Sequence, residues 1–198
     1  MPTPPTYSEE IKTNLKNWAE DSDKKPSSQL QTLITDIANF GEICYPWDHI
    51  KKLLTWKLKK IITKITETKP VTEVIDGITF EQRLVKLYTK LNDLPGPPFT
   101  VQRLCELLVA PSLYAEPRKY VFAVEKMVFV STVNPVLSEK EYNSIVKTRD
   151  EQMAEEIARS KAAAKETADA MAANRSANAA MEEDDNNDTS NGVTKMDE

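Results

Sequence analysis

The chain has 198 residues, 40% of them hydrophobic and 29% charged, which supports one domain with a real core plus a tail. Its net charge of -5 averages two unlike parts: residues 181–198 hold seven carboxylates and one lysine, so the remainder is nearly neutral. One histidine, two distant cysteines and four unclustered glycines exclude the usual zinc ligand sets and a phosphate-cradling loop.

Residues 1–7 are proline-rich and expected to be flexible. Ser8 then caps a first helix, with Glu9 and Glu10 in its first turn and Ile11, Leu15 and Trp18 on one face. DSDKKPSS breaks it. In a second helix Leu30, Leu33, Ile34, Ile37 and Phe40 recur at helical spacing, and Gly41 fits the left-handed position that ends it. Pro46 opens the longest helix of the body, about residues 47–67, with an apolar stripe from Trp47 through Ile50, Leu53, Leu54, Leu58, Ile61 and Ile62 to Ile65.

A connector, TKPVTEVIDGI, leads to a fourth helix lined by Phe80, Leu84, Leu87 and Leu91. The run Pro95-Gly96-Pro97-Pro98 stops it, because proline lacks the amide donor and restricts the residue before it. Thr100 is a good cap for a fifth helix. Phe99 and Leu104 have the spacing of a hydrophobic staple, in which the residue before the cap packs on the fourth helical residue. Val101, Leu104, Cys105, Leu107, Leu108 and Val109 cover more than half of this helix, which therefore belongs in the centre of a bundle. Gln102, Arg103 and Glu106 form its polar strip.

Pro111 ends the fifth helix and Pro117 starts a sixth, through Tyr120, Val121, Val124 and Met127. The β-branched and aromatic segment near 128–133 is either extended or the end of that helix; the pattern leaves both open. Residues 138–180 are rich in alanine and charge, with Glu155 one turn before Arg159, and read as a solvated helix or linker with too little apolar surface to bury. Residues 181–198 read as a disordered acidic tail. The expected fold is mainly α: a compact domain of about six helices over residues 8–137, followed by these two segments.

No stretch approaches the ~18 consecutive apolar residues of a membrane helix, and MPTPPTYSEE lacks the basic-then-apolar order of a signal peptide. We expect no membrane association, reduced core cysteines at Cys44 and Cys105, and a setting in the cytoplasm or nucleus. His49 reads as a surface or core residue rather than a catalytic base, the carboxylates form no calcium-loop pattern, and no cofactor is implied. The inventory indicates a helical interaction module, not an enzyme. Trp56 projects away from the apolar stripe of its helix, among Lys52, Lys59 and Lys60. Trp56 with those lysines, and Arg103 on the fifth helix, are therefore the candidate partner-binding residues. The same geometry allows a covered Trp56, with the 70–79 connector as one candidate cover.

GPPFTVQRLCELLVAP followed by YVFAVEKMVFVSTVNP resembles the regulatory subunit 2 family of protein phosphatase 4. The resemblance rests on Pro98, Phe99, Thr100, Gln102, Arg103, Leu104, Cys105, Glu106, Leu107 and Leu108, and on Val124, Glu125 and Lys126 further on. Upstream, Gly41, Glu42 and Trp47 are similar to a looser family segment; the likeness covers roughly residues 28–135. It implies a non-catalytic regulatory subunit that binds the phosphatase 4 catalytic subunit, commonly with a further regulatory subunit, and modulates its activity, localisation or substrate choice. It also implies roles in the nucleus and at centrosomes. The family carries a longer acidic C-terminal region than this chain. Two other readings stay open: an unrelated helical adaptor that contacts basic proteins through its acidic tail, and a weak nucleic-acid binder that uses the lysine face. The near-neutral body disfavours the second.

Overall fold

The structure, a computed structural model, describes residues 5–184 apart from 73, 75, 76 and 115. Among the described residues it is helical with no named strand: α1 (Glu9–Glu20), α2 (Ser28–Phe40), α3 (Trp47–Thr68), α4 (Phe80–Asp93), α5 (Val101–Val109), a short 3-10 turn (Pro111–Leu113), α6 (Pro117–Val128) and α7 (Glu139–Asp184). The chain divides into two compact units, Met1–Thr148 and Arg149–Glu198.

In the first unit α3 is the hub, touching α1, α4, α5 and α6, while α2 lies along α5. Its stripe explains this: Ile50, Leu53, Leu54 and Leu58 are fully buried, as are Leu104, Cys105, Leu107 and Leu108 on α5. The expected central position of the fifth helix is observed. Burial of these side chains, at roughly 1.5–3 kcal/mol for each large one, is the main force holding the unit together. Polar groups fix the helix ends. Ser8 Oγ accepts from the Ile11 amide at the start of α1, and the Gly41 amide donates to the Ile37 carbonyl at 2.8 Å, with Gly41 at φ 80°. Thr79 and Gln82 form a reciprocal capping box on α4. The buried Trp47 indole donates to the Leu94 carbonyl at 2.9 Å, tying the start of α3 to the end of α4.

Three local readings are corrected or settled. The Phe99 staple is absent: Phe99 is 54% exposed, and Thr100 gives α5 no side-chain cap. Its hydroxyl instead donates to the Met127 carbonyl at the end of α6. A long-range acceptor has replaced the local amide donor that a cap would engage. The proline run pairs with the ambiguous 128–133 segment: α6 continues through Val128, and Pro98 and Val133 then form an isolated antiparallel bridge. The Phe99 amide donates to Thr132 and the Asn134 amide to Pro97 on either side of it, so the segment is helix first and extended after.

The third correction concerns the end of the packed unit. Tyr142 and Val146, on the first turns of α7, are 7% and 5% exposed, and the Leu137 amide donates to the Ile43 carbonyl at 2.8 Å. Packing therefore extends past 137, to an aromatic and a β-branched residue buried four apart on α7. Tyr7, assigned by sequence to the flexible start, stacks on Tyr45 with ring centroids 5.4 Å apart, and its amide donates to Asn143 Oδ1.

In the second unit the described side chains lie almost wholly in solvent. Ile157 and Met171 are exposed, and Glu155 pairs with Arg159 at 2.7 Å as the spacing predicts. Of the expected acidic tail, residues 185–198 lie outside the described residues, as do residues 1–4 of the expected flexible start; 181–184 belong to α7.

Candidate partner-binding surface

The sequence-predicted site residues are spread over several contacts. Trp56 is half-buried against α1: its ring meets Trp18 edge-on, centroids 6.5 Å apart. Lys52 Nζ donates to the Ala19 carbonyl at 2.9 Å, supplying the positive charge that the last turn of α1 lacks. Lys59 sits over the Tyr88 ring of α4 at 5.6 Å, while Lys60 is exposed. Arg103 lies on α5 and pairs with Glu106, which raises its pKa. The lysine face thus contributes partly to internal packing: α1 and α4 use two of its charges.

The motif that carries the resemblance divides cleanly by burial. Val101, Leu104, Cys105, Leu107 and Leu108 are core. Gln102 caps a neighbouring helix, since its amide nitrogen donates to the Ala38 carbonyl at 3.2 Å and to Asn39 at the open end of α2. A Cβ at Gly41 would lie 3.0 Å from Gln102 Oε1, so the Gly41–Gln102 pair is a close fit. Phe99, Gln102, Arg103 and Lys126 remain exposed and Glu106 is partly so. Among these motif residues, they are the ones that can meet a partner directly.

A second surface was not singled out by the sequence reading. Phe122, on the side of α6 away from buried Tyr120, Val124 and Val128, is 51% exposed, and Phe129, the residue that follows the last turn of α6, is 53% exposed. Lys126 lies between them in sequence and sits 4.5 Å from the Phe122 ring centroid, within cation–π range. Next to this strip a groove of about 460 Å³ runs between α4 and α6, lined by Ile78, Arg83, Lys86, Glu125, Lys126 and Phe129. At its edge Arg83 and Glu125 form a partly buried ion pair at 3.2 Å. Burial raises the Glu125 pKa, and Arg83 opposes the shift. Among the described lining residues, three cations stand against one already paired carboxylate, a net positive charge. The spacing Phe122, Lys126, Phe129 opposite the Tyr120–Val124–Val128 stripe was the available signal.

The chemistry elsewhere is quiet. Burial pushes the Cys44 thiol up to about 12 and raises that of Cys105 further, so neither is a ready nucleophile. Among the described residues no group of three His, Cys, Asp or Glu side chains is placed to hold a metal ion, and no helix is long and apolar enough to cross a membrane.

The fold and surface define a helical scaffold whose distinctive exposed feature is an apolar, cationic face. The PPP4R2 family model matches residues 11–198, and the chain belongs to that family. It is 33% identical over 139 residues to the serine/threonine-protein phosphatase 4 regulatory subunit 2 of Xenopus tropicalis, covering 66% of this chain and 33% of that protein. The Drosophila melanogaster protein of the same name is 32% identical over 136 residues, with 65% and 22% covered. For that of Dictyostelium discoideum the figures are 26% over 175 residues, with 64% and 62% covered. The chain thus spans about a third or less of the first two relatives. No solved structure matches it.

Proposed function

We propose that this chain is a non-catalytic regulatory subunit that binds the catalytic subunit of protein phosphatase 4 and modulates its activity, localisation or substrate choice. The observation that carries this reading is the family match across residues 11–198, with relatives named as regulatory subunits of that phosphatase. Its physical support is that the motif behind the match builds the centre of the fold: α5 packs on α2 and α3, and Gln102 caps α2. A scaffold of this kind acts by presenting surface. We also place the chain in the nucleus and cytoplasm, including centrosomes, in a complex with a further regulatory subunit.

The test is affinity purification of the tagged chain from cells, followed by mass spectrometry of what is retained. The catalytic subunit should be recovered in near-equal amount, with a second regulatory subunit beside it. Recovery of the chain without any phosphatase subunit would sink the assignment. Imaging of the same tagged chain checks the location.

A further inference from the structure

We propose that the α4–α6 face is where this chain docks the phosphatase catalytic subunit, and that it receives an acidic surface bearing one or two apolar side chains. The proposal rests on the regulatory-subunit reading and adds the surface and its chemistry. Two exposed phenylalanines, Phe122 on α6 and Phe129 just past its end, are left outside the core. Singly exposed apolar residues need no account, but Phe129 in the groove wall, with Phe122 joined to that wall through Lys126, does. Aromatic side chains are enriched at binding interfaces, whose rims are polar.

Charge then selects the occupant. Lys86 and Lys126 line the groove with Arg83, and the one carboxylate among its described lining residues, Glu125, is paired with Arg83. A basic partner surface would meet repulsion, whereas an acidic one gains attraction and faster encounter. Lys126 over the Phe122 ring keeps both parts of the recognition together, a cation at the rim and an aromatic beneath it.

The family motif braces this face. Thr100 donates to the Met127 carbonyl, the Phe99 amide to Thr132 and the Asn134 amide to Pro97, so these bonds bracket Phe129 on both sides. The proline-rich entry to α5 therefore positions the end of α6. This gives Pro97–Thr100 a role beyond starting a helix: it holds one wall of the groove.

The experiment measures affinity of the whole chain for purified phosphatase 4 catalytic subunit, at low and moderate salt. Wild type is compared with the double variants Phe122→Ala/Phe129→Ala and Lys86→Glu/Lys126→Glu, with thermal melting as a check on folding. All four side chains are exposed or at the groove rim, so both variants should melt near wild type. Each should bind at least tenfold more weakly, and the deficit of the charge variant should shrink as salt rises. If both fold and bind like wild type, this surface is wrong while the regulatory reading stands. If wild type itself fails to bind, the reading falls and the surface falls with it. If the phenylalanine variant loses only self-association, the face belongs to a second copy of this chain and the proposal is overturned. Should one variant misfold, the other decides.

Discussion

Removing Tyr142 and Val146 tests how far the packed unit extends. Both are nearly fully buried, beyond the boundary at 137 that composition indicates. Val146→Ala removes two buried carbons, at ~0.8 kcal/mol each. Tyr142→Ala belongs with large aromatic truncations, which cost ~3–5 kcal/mol where the site cannot relax. This site can relax by undocking the start of α7, so the loss is capped at the docking free energy of that segment. We expect about 2 kcal/mol for Tyr142→Ala, about 1.5 kcal/mol for Val146→Ala, and a double variant well short of their sum. For a unit of this size 2 kcal/mol lowers Tm by roughly 4–8 °C. Calorimetry or circular dichroism melting of the full chain reads it directly. A double variant that melts with wild type would show that the helical unit ends at 137 and that Tyr142 merely rests on it.

Trp56→Ala should lower stability to urea by about 2 kcal/mol, less than a fully buried tryptophan, because Trp56 is only half-buried against the core and Trp18; a variant that folds normally but binds the phosphatase weakly would make Trp56 an exposed anchor after all. Phe99→Ala should change folding by under about 0.5 kcal/mol, and a loss above 1 kcal/mol would mean that the staple exists in solution. Gly41→Ala should cost about 1–2 kcal/mol, since a Cβ is strained at φ 80° and presses on the Gln102 amide that caps α2. Native protein at pH 8 should resist thiol alkylation, with Cys44 pushed up to about 12 and reacting far more slowly than a free cysteine; rapid stoichiometric labelling without unfolding would refute that.

The sequence by itself determined most of what depends on neighbours along the chain. Helix positions followed from apolar spacing, from Ser8 at the start of α1 and from the left-handed Gly41, because these act within one or two turns. The central place of α5 was legible for a related reason: a helix apolar around more than half its circumference has nowhere else to go. Family membership was legible too, in the run from Pro98 to Leu108. What tertiary structure alone decided is which of two satisfied states a side chain adopts. Thr100 had a local amide and a distant carbonyl to choose from, and the distant one prevailed. Lys52 looked like part of a free cationic face until α1 brought the Ala19 carbonyl to it. Residues 138–180 looked too poor in apolar surface to anchor anything, yet Tyr142 and Val146 are buried at their start. The α4–α6 face is of the same kind. Phe122, Lys126 and Phe129 are close in sequence, but Arg83 and Lys86 come from a helix some forty residues earlier and Ile78 from just before it. Periodicity reports which side of a helix is apolar; only packing reports which apolar side is left without a cover.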